Sequence, residues 1–107
     1  MTVTIKSLKD GQLPSSKTTL YTVPAATQTV INRIRLVNTN STAETINLYF
    51  KASGGTSRRI IPEDYSLAAK ALFVMDDVLT MEVSDVVEGD TTTVSKVDYV
   101  ISGAENS

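Results

Sequence analysis

Short segments in which apolar and polar residues alternate run through the whole chain. Alternation with a period of two places successive side chains on opposite faces of an extended backbone and predicts half-buried strands. The clearest segment is residues 44–52, where Ile46, Leu48 and Phe50 alternate with more polar residues. The pattern predicts about eight strands, at residues 3–8, 18–23, 28–38, 44–52, 57–61, 71–75, 78–84 and 91–102.

Residues that favour turns separate these strands. An Asp-Gly pair and a proline follow the first strand, an Asn- and Ser-rich segment occupies residues 38–42, and a Gly-Gly turn follows residue 53. Such residues accept turn geometry or bond to their own backbone, so the chain should reverse at these points. Residues 63–70 have helical leanings but are too few for a stable helix, which favours a helical turn or a loop. We also expect loops or frayed backbone at residues 9–16, 85–90 and 103–107.

The longest predicted strand, residues 28–38, contains an interruption. Alternate positions of this strand hold Val30, Ile34 and Leu36, so we expect these three side chains on the core side. Two arginines occupy the intervening positions and should face solvent or a partner. Asn32 breaks the apolar row. It predicts a bend, a bulge or a hydrogen-bonded amide in this strand.

The predicted elements define the fold class. Short strands spaced by about 8–12 residues are typical of sandwiches and barrels. The sequence has no alternation of strands with helices, no sustained 3.6-residue period and no internal repeat. It therefore predicts an all-β, single-domain antiparallel β-sandwich over residues 1–107, with jelly-roll and Ig-like topologies both open.

Composition and charge narrow the possible partners. With 41% hydrophobic and 21% charged residues, the chain can bury a core. The formal net charge is -2 and no basic block occurs, which argues against nucleic acid. The amino terminus lacks the basic and apolar regions of a signal peptide, and no apolar run approaches the ~18 residues of a membrane span, so we expect a soluble protein without membrane contact.

Residue types also restrict the chemistry. The chain has no histidine and no cysteine, which excludes a Ser-His-Asp triad, histidine or thiolate zinc ligands and a thiol nucleophile. Acidic pairs at residues 63–64 and 76–77 are interpreted as solvated turn formers and not as glycosidase carboxylates. We predict that the protein is not an enzyme and has no catalytic residue, metal or cofactor. A calcium site at residues 85–90, with three acids and a glycine, is the less favoured alternative to a solvated loop.

Five residues are candidates for contacts with other proteins. Arg33 and Arg35 share one face of a long strand and can pair with acids of a neighbouring subunit, although ion pairs within the chain are the alternative. Arg58 and Arg59 lie beside the Gly-Gly turn. They could bind an anion together with the backbone amides of the turn, or their charges could prevent edge-to-edge aggregation of the sheet. Asn40 lies in an exposed turn. A small domain gains stability from subunit contacts, so we expect a homo-oligomer, with trimers or higher orders favoured.

Several strings of residues resemble a class of small bacteriophage virion proteins. They are LYTVPA at residues 20–25, INLYF at residues 46–50, and VDYVISGAE at residues 97–105, together with the Asn-rich turn. The resemblance implies a β-sandwich module of a tail, neck, fibre or capsid surface, in which the Ser-Gly pair ends the last strand. Residues 85–93 depart from the pattern as extra loop material.

Two functions follow from these observations. The first is a structural component of a virion, either a capsid cement or decoration protein or a neck or tail protein, that binds other virion proteins. The alternative is a receptor- or carbohydrate-binding module of a tail fibre. The alternative requires a concave aromatic or acidic site, for which four tyrosines and no tryptophan are present.

Overall fold

The computed structural model describes residues 2–107, which form ten strands. Within this range no helix is long and apolar enough to cross a membrane. Met1, at the amino terminus, lies outside the described residues. The strands are β1 (Val3–Gln12), β2 (Thr18–Thr22), β3 (Gln28–Asn38), β4 (Glu44–Lys51), β5 (Arg58–Arg59), β6 (Tyr65–Leu67), β7 (Leu72–Met75), β8 (Leu79–Met81), β9 (Val86–Thr91) and β10 (Val97–Asn106).

The strands form two antiparallel sheets packed face to face. The first sheet has the order β1-β10-β3-β7, with β8 also paired to β3, and the second has the order β2-β9-β4-β5, with β6 also paired to β4. β5 and β6 pair with different parts of β4, so together they occupy one strand position in the second sheet. In the same way, β7 and β8 pair with different parts of β3 and together occupy one strand position in the first sheet. The result is an eight-position jelly roll, four positions in each sheet. The predicted antiparallel β-sandwich is confirmed.

The core lies between the sheets and follows the predicted alternation in most strands. Each fully buried aliphatic side chain contributes roughly 1.5–3 kcal/mol by leaving water, so the shared inner face is the main source of stability. The completely buried aliphatic residues are Leu13, Ile31, Ile34, Leu36, Ile46, Leu48, Val87, Val97 and Ile101.

A β-bulge interrupts β3. Asn32 has no partner on β10, where the register shifts between Ser102 and Gly103. Because of this extra residue, the alternation of inward and outward side chains is out of step between the two parts of β3. On the amino-terminal side Ile31 is therefore buried and Val30 is exposed. A bulge was one of the three alternatives predicted at Asn32, and the structure selects it, but the placement of Val30 on the core side was wrong.

The last strand, β10, continues to Asn106, so the predicted fraying of residues 103–107 is wrong. β10 lies between β1 and β3, which bond its backbone on both sides. The backbone groups of Thr2 and Ser107 exchange two hydrogen bonds of 2.6 and 2.9 Å. Gly103 therefore lies within the strand, although the family resemblance implied that the Ser-Gly pair ends it.

Three further segments predicted as loops or turns form strands. β1 extends to Gln12, β6 lies within the predicted helical turn, and β9 replaces the predicted loop at residues 85–90. The acids and glycine of β9 are typical of turns. β9 is nevertheless paired on one side with β2 and on the other with β4, and these long-range hydrogen bonds outweigh the local preference.

Candidate assembly surface

A network of polar side chains covers the solvent side of the second sheet. The buried Asn47 amide donates to Asp64 at 3.0 Å and to Asp90 at 2.8 Å, and its carbonyl oxygen accepts a 2.7 Å bond from Arg59. The Tyr49 hydroxyl donates to Asp90 at 3.0 Å. These groups satisfy one another within the chain, so this face has few free groups for a partner.

The Tyr49 ring is not available as a stacking platform. The Lys17 ammonium and the Arg59 guanidinium each lie 5.1 Å from the ring centroid, within the range of cation–π attraction. Burial and the neighbouring Asp90 raise the pKa of Tyr49, which keeps its hydroxyl protonated as a donor. The ring therefore belongs to the polar network.

The remaining tyrosines do not form a concave aromatic site. Tyr21 and Tyr99 are buried in the core. Tyr65 packs against Phe73, with 4.9 Å between ring centroids. The four tyrosines therefore do not provide the aromatic form of the concave site that the carbohydrate-binding alternative requires.

The solvent side of the first sheet, called the outer face below, carries exposed apolar side chains. Ile5 lies opposite Ala104, which lies opposite Val30, so three apolar residues form a row across β1, β10 and β3. Ile5 is 86% exposed and Val3 is 67% exposed. Exposed apolar side chains that lie together make this face a candidate for contacts with other proteins. Leu72 and Val100 extend the apolar surface across the same face.

Arg33 and Arg35 lie on the outer face beyond the bulge, where they face solvent as predicted. Arg33 Nε donates to an Asp76 carboxylate oxygen at 2.8 Å, and both side chains of this ion pair are exposed. Arg35 has no hydrogen-bond or ion-pair partner among residues 2–107. The two side chains line a groove of about 540 Å³ together with Val100. Guanidinium groups beside apolar surface suit a carboxylate-bearing protein segment.

The structure separates the other three candidate contact residues from this pair. Arg58 and Arg59 form β5, at the edge of the second sheet on the opposite side of the sandwich from Arg33 and Arg35. Arg59 is engaged in the polar network, and Asn40 donates to a buried glutamate at the start of β4. The five residues do not form one surface, and their contacts with other proteins remain predictions.

That glutamate, Glu44, was not singled out in the sequence. It is 3% exposed and accepts hydrogen bonds from the Thr93 amide at 2.8 Å, the Thr91 hydroxyl at 3.1 Å and the Asn40 amide at 3.0 Å. Burial raises the pKa of Glu44, but these bonds outweigh it and hold the pKa below its ordinary value. Glu44 therefore fastens two loops as a carboxylate. Nothing in its sequence context marks this role.

The acids of residues 85–90 do not converge. The Asp85 carboxylate accepts backbone bonds of 2.9 Å from both Ser53 and Glu82. Glu88 and Asp90 lie on the solvent side of β9 and accept bonds from other side chains. Among residues 2–107 no group of three or more acidic residues is arranged to hold a metal ion. The structure therefore does not bring the three carboxylates of this segment together as the calcium hypothesis requires, and each of them accepts hydrogen bonds from different protein donors.

Comparison with solved structures finds a similar fold in a chain of a phage capsid. A chain in the acidic stable capsid of Helicobacter pylori bacteriophage KHP30 superposes with a TM-score of 0.55 and 10% identity, over 98% of this chain and 87% of that chain. A chain of the Gx strain of infectious bursal disease virus gives a TM-score of 0.49 at 12% identity, and this chain covers 32% of its length. No family model and no curated protein matches the chain. At 10% identity the KHP30 superposition shows a shared fold.

Proposed function

We propose that this protein is a non-enzymatic structural component of a bacteriophage virion that attaches to the capsid through its outer face. The observation that carries the proposal is the difference between the two sides of the sandwich. On one side, the polar side chains around Asn47 form hydrogen bonds with one another. The other exposes an apolar row and, farther along the same face, Val100 opposite the unpaired Arg35.

Two further observations support the virion as its location. The KHP30 chain, which belongs to a phage capsid, is similar to this protein over nearly the full length of both chains. The strings at residues 20–25 and 97–105 resemble those of small phage virion proteins. Of the two, the similarity to a capsid chain favours a capsid cement or decoration protein over a neck or tail component.

The proposed attachment uses the chemistry of the outer face. Apolar side chains lose contact with water when a partner covers them, and this burial provides most of the binding free energy. The guanidinium groups of Arg33 and Arg35 then select a partner that presents carboxylates at the same position. Self-association, with trimers or higher orders expected, is the second part of the proposal.

Co-sedimentation with empty capsids that lack the protein tests the attachment. We expect the unmodified chain to sediment with the capsids and Arg35→Glu to bind at least tenfold more weakly. The matched control is Arg58→Glu, which makes the same charge change on the other sheet and should bind like the unmodified chain. Equal weakening by both substitutions would exclude the outer face as the attachment site. Failure of the unmodified chain to bind capsids would overturn the proposal.

A further inference from the structure

β1 is an edge strand of the first sheet. It pairs with β10 along one side, and its other side pairs with no strand of residues 2–107. Nine of its ten residues are exposed. An open edge of this length presents a row of backbone donors and acceptors that another strand can use.

The register identifies the backbone groups that face the open edge. Thr2 and Ser107 exchange both of their backbone hydrogen bonds. Because bonded and non-bonded pairs alternate along an antiparallel ladder, every second residue from Thr2 to the bulge bonds to β10. Val3, Ile5 and Ser7 therefore direct their N–H and C=O groups toward the open edge.

This part of the edge lacks the usual protection against pairing. Residues 3–7 contain no proline, and the β1 bulge lies after them, at Leu8. A lysine on an edge strand normally opposes pairing. Here the Lys6 ammonium is held 3.1 Å from a Glu105 carboxylate oxygen, so its charge is partly neutralised. The side chain next to it, Ile5, is the most exposed large apolar residue of the described chain.

We infer that residues 3–7 pair with the same segment of a second copy of this chain, antiparallel about a two-fold axis at Ile5. A two-fold axis through such a ladder places one residue opposite its own equivalent. With Ile5 at the axis, Val3 lies opposite Ser7 of the second copy and all three residues with open backbone groups form bonded pairs. An axis at Lys6 would oppose two lysines, which is unfavourable.

The second copy is the occupant because the segment is complementary to itself. Thr4 lies opposite Lys6 of the second copy, so no like charges face each other, and the two Ile5 side chains contact across the axis. Pairing joins the two first sheets into one and makes their outer faces continuous. The inference rests on the self-association part of the proposed function and restricts it to assemblies with an even number of copies, so that a trimer would contradict it.

Single cysteines test the register, because the sequence has none of its own. Ile5→Cys should form a disulfide-linked dimer under mild oxidation, seen on a non-reducing gel. Ser7→Cys is the matched control on the same strand and face. Its two sulfurs would lie roughly 13 Å apart along the strand, beyond disulfide reach. We expect at least tenfold more linked dimer from Ile5→Cys, and equal yields would overturn the inference.

Mass in solution by light scattering provides the second measurement. The unmodified chain should contain an even number of copies. Ile5→Lys should halve its mass while keeping its melting transition. Val78→Lys, at another exposed apolar position, should leave the mass unchanged. A monomeric unmodified chain would overturn the inference, whereas capsid binding by that monomer would leave the attachment proposal intact.

Discussion

The hydroxyl of Tyr21 donates a 2.6 Å hydrogen bond to a carboxylate oxygen of Glu105. Tyr21 belongs to β2 of the second sheet and Glu105 to β10 of the first, so this bond joins the two sheets. Thr29 shares a 2.9 Å bond with the same hydroxyl, and Lys6 lies 3.1 Å from the other carboxylate oxygen. Burial and Glu105 raise the pKa of Tyr21 to about 12, and the bond from Tyr21 lowers the pKa of Glu105.

Removing this hydroxyl should destabilise the sandwich. We expect Tyr21→Phe to lower the free energy of unfolding by about 1–3 kcal/mol, because the bond is made to a charged acceptor that is left partly unsatisfied. Urea denaturation measures the change. Tyr65→Phe is the control, because Tyr65 is 38% exposed, and it should change stability by less than about 0.5 kcal/mol. If Tyr21→Phe has the same effect in a Glu105→Gln background, the two side chains are not coupled.

Acid should destabilise the fold through its two bonded glutamates. The pKa values of Glu44 and Glu105 are lowered in the folded protein. Their contribution is therefore present above the unfolded glutamate pKa of about 4.3 and is lost as the pH falls through the folded values.

Urea midpoints measured from pH 7 down to pH 3 should show this loss. The variant Glu44→Gln should be less stable at pH 7 and should lose less stability on acidification than the unmodified chain. An unchanged acid dependence in that variant would remove Glu44 as a source of it.

Gly103 should not tolerate a side chain. A Cβ atom there would clash with the Val30 carbonyl oxygen and approach the Ile31 Cα atom to 3.0 Å. Both are backbone atoms of the central strand β3, so we expect Gly103→Ala to cost about 1–3 kcal/mol in urea denaturation. Gly54→Asn is the control, since Gly54 has a φ of 72° and open space around it, and asparagine tolerates this backbone. Equal losses would refute the steric explanation.

Part of the candidate surface was predictable from sequence. The alternation of polar and apolar residues over residues 33–37 correctly predicted that Arg33 and Arg35 face solvent, because this part of the strand contains no bulge. The apolar row beside them was not predictable. Ile5 and Val30 are distant in sequence, and they lie in one row because β10 pairs with both of their strands.

The sequence by itself determined that the chain is an antiparallel β-sandwich and which residues of most strands face the core, because period-two alternation acts locally. Only the tertiary structure decided the jelly-roll order, the exposure of Val30 and the role of β9 as an inner strand. Each of these depends on hydrogen bonds between segments far apart in the chain. The bulge at Asn32 could be anticipated, but its effect on parity depends on how β10 pairs opposite it.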